Sequence, residues 1–290
     1  ALWQQQTDVA WAYLDESFIT DLLVWYHLVW LGNSVHRNDQ RVELLLSKGR
    51  FFTLQDRLTL LTVIAELLEG VIPRYAALEK AGKVELSMSP YDHPIIPLLI
   101  DFQSATEAMP DAPLPQQRYY PGGHERAVYH LQEGIRCFKK YFGHKPRGVW
   151  LSEGGVSEAA LGVLDEYHFR WTASGEAVWN HSQLALTDKP RKKAVEDNIH
   201  HIYRQNDHRV ACFFRNDGLS DLIGFTYAKW HADDAVGDFL QHLENIRQAC
   251  TDHDNACVSI ILDGENAWEY YPHNGRYFLE GLYQALADAP

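Results

Sequence analysis

The sequence of 290 residues predicts an α/β fold built on a mainly parallel sheet, and three observations carry that reading. Short apolar runs alternate along the chain with segments in which apolar residues recur at helical spacing. The runs Gly148-Val149-Trp150-Leu151, Val210-Ala211-Cys212-Phe213-Phe214 and Cys257-Val258-Ser259-Ile260-Ile261-Leu262 are almost continuously apolar, as strands buried on both faces are. Hydrophobic residues make up 46% and charged residues 22%, so the chain can bury a core and is not disordered. An open sheet and a closed barrel both satisfy this pattern, and both place chemistry at the carboxyl ends of the strands.

In chain order, residues 8–30 show helical spacing, and 53–68 repeat it with Thr53 as N-cap and Asp56 three residues on. After Pro73 a short helix over 75–80 ends at Gly82, and Val84-Glu85-Leu86-Ser87-Met88 alternates apolar and polar residues as a strand does. Residues 101–121 hold Pro110, Pro113, Pro115 and Pro121 with little periodicity, a long connection of the functional kind. Then come a helix at 125–142, a strand at 148–151, a helix at 157–167, strands at 170–173 and 209–214, a helix at 235–249 and a strand at 257–262. No linker divides the chain, which predicts one domain over 1–290.

Charge and composition exclude several function classes. Lys and Arg number 26 against 39 Asp and Glu, a net charge of −13, and the one dense basic run, Lys189 to Lys193, reads as a solvated loop, so no nucleic-acid partner is expected. No apolar run approaches the roughly 20 residues of a membrane span; the stretch 18–31 is broken by Asp21 and His27, and no membrane partner is expected. The amino terminus has neither a leader pattern nor a starting Met, which predicts that it begins inside a longer reading frame. Of Cys137, Cys212, Cys250 and Cys257, which form no C-x-x-C pair, Cys212 and Cys257 fall in apolar runs where a buried free thiol is expected, and this favours a reducing, cytoplasmic compartment. Motifs for P-loops, dinucleotide binding and nucleophile elbows are absent, so no cofactor is expected.

The strand ends carry the chemistry. The strand at 148–151 runs into Ser152-Glu153-Gly154-Gly155, which sets a carboxylate at the sheet rim, although a solvated turn glutamate would look the same. The last strand delivers Asp263-Gly264-Glu265, which also reads as an ordinary Asp-Gly turn. Arg215 and Asp217 follow the strand at 209–214, and His93 follows the one at 84–88. These polar ends are most simply one site, and two carboxylates facing a substrate are the minimum needed to cleave a glycosidic bond. Trp150, Tyr91, Trp268, Tyr270 and Tyr271 could stack on sugar rings or pack in the core. His200, His201 and His208 surround a polar turn but have no tight metal spacing, so no metal is expected.

Three segments taken together, 84–99, Trp150-Leu151-Ser152-Glu153-Gly154-Gly155-Val156-Ser157-Glu158, and Leu262-Asp263-Gly264-Glu265-Asn266-Ala267-Trp268-Glu269, resemble glycoside hydrolase family 57, as does 215–225. The resemblance implies an incomplete (β/α)7 barrel of parallel strands, a retaining mechanism on α-glucan or oligosaccharide substrates, Glu153 as nucleophile and Asp263 as acid/base. Beside that resemblance, their place at the strand ends predicts substrate binding by His93, Trp150, Arg215, Asp217, Glu265 and Trp268, with Arg215 also holding a carboxylate ionised and Glu265 as the rival acid. The family's first motif, on the first barrel strand, and its fifth are absent, so the first strand and both terminal segments of the same polypeptide are expected to be missing from this chain. The alternative is a relic of the same fold that binds carbohydrate, or regulates, without turnover. A metal-dependent hydrolase is a further class.

Overall fold

The computed structural model describes residues 14–185, 199–205, 208–250, 256–264 and 267–289. The chain forms two compact units, Ala1–Ala77 with Glu269–Tyr277 and Leu78–Trp268 with Phe278–Pro290.

The first unit is built on helices α1 (Glu16–Trp30), α2 (Asn33–Asn38), α3 (Gln40–Lys48) and α4 (Leu54–Lys80), the last of which ends in the second unit. Val24, Leu28, Val42, Leu45, Phe52, Leu60 and Val63 form its core. Thr53 and Asp56 cap α4 reciprocally: the Asp56 N–H donates to Thr53 Oγ1 at 3.3 Å and the Thr53 N–H to Asp56 Oδ2 at 2.6 Å. The expected break at Pro73 does not occur, and the separate helix at 75–80 is the last part of α4. Pro73 removes one N–H donor, but residues 71–75 are all exposed, so water can satisfy the carbonyl left free one turn earlier. Gly82, at φ +68°, ends the helix in the left-handed region, where the Lys83 N–H reaches the Leu78 carbonyl at 3.0 Å.

The second unit carries the sheet. Its helices are α5 (Ile96–Ile100), α6 (Ala105–Ala108), α7 (Gly123–Phe142), α8 (Glu158–Glu166), α9 (Glu176–Ala185), α10 (Asp217–Asp221), α11 (Ala232–Ala249) and α12 (Arg276–Asp288), the last beginning in the first unit. Strands β1 (Gly148–Val149), β2 (Trp171–Ser174) and β3 (Ala211–Phe214) lie parallel in the order β1-β2-β3, with Gly148 beside Trp171 and Trp171 beside Ala211. Single parallel bridges add Met88 beside Val149 and Ser259 beside Arg215. Among the described residues five parallel segments therefore succeed one another across the sheet, three of them strands.

The strands expected at 84–88 and 257–262 are thus reduced to one bridge each. Alternating apolar residues specify which side chains are buried, whereas a strand also needs backbone partners on a neighbour. At Ile261 those partners are side chains: its N–H donates to Ser220 Oγ at 3.2 Å, and its carbonyl accepts from Arg215 Nε at 2.9 Å.

Ala127, Leu131, Ile135 and Phe138 recur along one face of α7 and pack with Leu161 and Leu164 of α8, Val149, Leu151, Phe169 and Val210 in the main core. The amino end of α7 meets α5 so closely that a Cβ at Gly123 would lie 1.7 Å from the Leu99 carbonyl oxygen. Residues 101–121, expected as a long loop, include a 3-10 turn at Phe102–Ser104 and α6. Among the described residues no helix is long and apolar enough to cross a membrane.

Candidate functional site

Beyond β1 the chain passes Trp150 and buried Leu151 into a 3-10 turn, Ser152–Gly154. There Glu153 takes φ 56°, ψ 20°, left-handed for a residue with a side chain, and Gly154 follows at φ +67°. This conformation exposes Glu153 between buried Ser152 and Gly154. The turn is held by Gly154 N–H to Leu151 O at 2.8 Å and by buried Ser174, whose Oγ donates to Gly154 O at 2.6 Å from the end of β2. The Trp150 ring lies on Gly154, where a Cβ would come within 3.1 Å of it. Position 154 requires glycine for both reasons.

A second left-handed turn stands after Met88, with Asp92 at φ 57° and His93 at φ 56°. His130 of α7 pins it from both sides: Nδ1 donates to Tyr91 O at 2.7 Å, and the His130 carbonyl accepts the Tyr91 N–H at 3.0 Å.

After β3, Arg215 spreads its guanidinium over three acceptors. Nη1 donates to Asp217 Oδ1 and Nη2 to Asp221 Oδ1, each at 2.6 Å, while Nε takes the Ile261 carbonyl. Burial opposes its charge, but its hydrogen bonds to the Asp221 and Asp217 carboxylates outweigh that and raise its pKa above the ordinary arginine value. Sequence reasoning expected Arg215 to hold a carboxylate ionised; the carboxylates on its fork are those of Asp217 and Asp221 in the adjoining helix. Glu176, just beyond β2, accepts the Asp217 N–H at 3.1 Å and ties this group to the next strand end.

These elements enclose a cleft of about 420 Å³ lined by Ser89, His93, Trp150, Glu153, Gly175, Arg215, Leu262, Asp263 and Gly264. Each follows the carboxyl end of one of the five parallel segments. The volume falls in the range of about 300–1,000 Å³ usual for small-molecule sites. Glu153, Asp263, His93, Trp150 and Arg215 therefore come together, as the strand ends suggested. Asp217 does not line the cleft and reaches it only through Arg215. Trp268 does not line it either: its ring packs beside Phe278, centroids 6.3 Å apart. Glu265 lies outside the described residues. Tyr91, Tyr270 and Tyr271 are not among the lining residues. Ser89, Gly175, Leu262 and Gly264 were not singled out beforehand, nor was Glu176, although it follows its strand as Glu153 follows β1.

The family model described as glycosyl hydrolase family 57 matches residues 17–290. The chain belongs to glycosyl hydrolase family 57. Three solved structures share the fold: a GH57-type branching enzyme from Pyrococcus horikoshii (15% identity, TM-score 0.55), the alpha-amylase AmyC from Thermotoga maritima (14%, 0.56), and TK1436, a GH57 branching enzyme from Thermococcus kodakaraensis, in complex with glucose and additives (16%, 0.51). Each similarity covers 93% of this family 57 chain and 54%, 57% and 56% of those chains respectively, so the chain spans little more than half their length. No curated protein sequence matches it.

Proposed function

We propose that this family 57 chain cleaves or transfers α-glucan bonds by double displacement with retention. The observation that carries the proposal is the single cleft receiving Glu153 from the end of β1 and Asp263 from the segment beyond Ser259. Glu153 attacks the anomeric carbon and forms a glycosyl ester as the glycosidic C–O bond breaks, and Asp263 gives its proton to the departing oxygen. Asp263 then takes a proton from water or an acceptor hydroxyl, whose oxygen displaces Glu153. The strained backbone at 153 supports this role, since a left-handed residue held by its surroundings aims a side chain that a relaxed turn would leave free.

His93 binds sugar hydroxyls, and Trp150, fixed on Gly154, offers a face for stacking. Arg215 and Asp217 bind substrate as a pair, Asp217 acting through Arg215. The same reading takes the five parallel segments as part of an incomplete (β/α)7 barrel and residues 1–290 as one catalytic domain. It places the protein in a reducing, cytoplasmic compartment, supported by four free cysteines, two of them buried. The similar structures, two branching enzymes and an alpha-amylase, support an α-glucan substrate. The test is release of reducing ends or branched product from amylose by the full-length protein, wild type against Glu153→Gln and Asp263→Asn. Activity should fall at least about a hundredfold in each variant, and wild-type rates in either would refute the assignment.

A further inference from the structure

Asp263 stands on a segment that has almost no ladder of its own. Among the described residues, the Cys257 N–H donates to the His200 carbonyl at 2.6 Å, and from Ser259 to Ile261 the stretch before Asp263 is held by the motif after β3, residues 215–220. Ser259 O accepts the Asn216 N–H at 2.9 Å. Two residues on, both backbone groups of Ile261 are captured by side chains, the N–H by Ser220 Oγ at 3.2 Å and the carbonyl by Arg215 Nε at 2.9 Å. Ser220 is fully buried, and Arg215 is immobilised by Asp217 and Asp221. Hydrogen bonds on both its donor and its acceptor restrain the backbone at Ile261, and Asp263 is two residues away.

We propose that Ser220 is a positioning residue that, together with Arg215, which also binds substrate, clamps Ile261 and thereby fixes Asp263 in the cleft. Ser220 touches no substrate in this account; its effect passes through Asp263. The positioning claim rests on the reading of Asp263 as the acid/base. Fixing such a group matters most where the leaving group needs its proton.

Two measurements on the full-length protein separate the clamp from the functional reading. The first is amide exchange at Ile261 in wild type and Ser220→Ala, a substitution close to volume-neutral. Loss of the acceptor should speed exchange there about tenfold while Val149 and Thr172 are unchanged. Unchanged exchange at Ile261 would overturn the clamp. The second compares maltooligosaccharides with a maltoside bearing an activated aryl leaving group. Ser220→Ala and Arg215→Lys, which keeps the charge but not the fork, should each lose about tenfold or more on the former, while Ser220→Ala should lose less than about twofold on the latter. In an Asp263→Asn background, Ser220→Ala should cost less than about twofold more. Equal losses of Ser220→Ala on both substrates, or losses that multiply with Asp263→Asn, would overturn positioning. Inactivity of wild type on both substrates would overturn the functional reading and positioning with it, while amide exchange still decides the clamp.

Discussion

Backbone strain at Glu153 can be weighed by replacing it with two residues that both delete the carboxylate. Glu153→Ala keeps a Cβ at φ 56°, whereas Glu153→Gly removes it. The left-handed conformation costs a residue with a Cβ about 1–2 kcal/mol. Glycine loses about 0.5–1 kcal/mol more conformational entropy on folding than alanine. The difference leaves Glu153→Gly more stable than Glu153→Ala by about 0.5–1 kcal/mol. At about 2–4 °C per kcal/mol for a unit of this size, Tm should be about 1–4 °C higher for glycine. Thermal unfolding of both variants in one buffer is the assay. Both should be inactive, so stability differs between the two variants while activity does not. If Glu153→Ala is as stable as Glu153→Gly, or more so, the turn stores no strain and the argument that packing aims this carboxylate fails.

Two further outcomes are expected. Gly123→Ala drives a Cβ against the Leu99 carbonyl, a backbone atom that cannot give way, and should cost about 3 kcal/mol, read as a fall in Tm of about 6–12 °C; retention of the wild-type Tm would mean that α5 and α7 do not meet there. The Glu79 carboxylate, hydrogen-bonded to His144 at 2.7 Å, raises the histidine pKa above its ordinary 6.5. The folded state therefore holds that proton more tightly than the unfolded chain, so the pair's stabilisation is full below pH 6.5 and is lost as pH rises through the raised value. Glu79→Gln should accordingly lower Tm at about pH 5.5 and leave this contribution unchanged at about pH 9, and an equal fall at both would refute the pairing.

Much of the site was legible because a parallel sheet gathers its carboxyl ends, so polar residues abutting separate apolar runs need no knowledge of long-range packing to be grouped. Glu153 and Asp263 are 110 positions apart, yet the same grammar marks both. Arg215 shows where that logic stops: the sequence reveals a cation near acids, and only geometry shows that Asp217, Asp221 and Ile261 occupy its donors. Trp268 sits five residues after Asp263 but turns to Phe278, since direction after a turn is set by packing and not by proximity in sequence. The sheet was over-read at both edges, where burial periodicity persists but the ladder does not. Pro73 was over-read as a stop because a proline in an exposed helix can leave its unpaired carbonyl to water.

Covalent trapping tests the central claim most directly. A fluorinated α-glucosyl or α-maltosyl fluoride, which forms the glycosyl ester faster than water resolves it, should label the full-length protein once, and peptide mapping should place the label on Glu153. Asp263→Asn should still accept it, because fluoride leaves with little help from an acid. A label on any other residue, or inverted anomers released from maltooligosaccharides, would contradict the account.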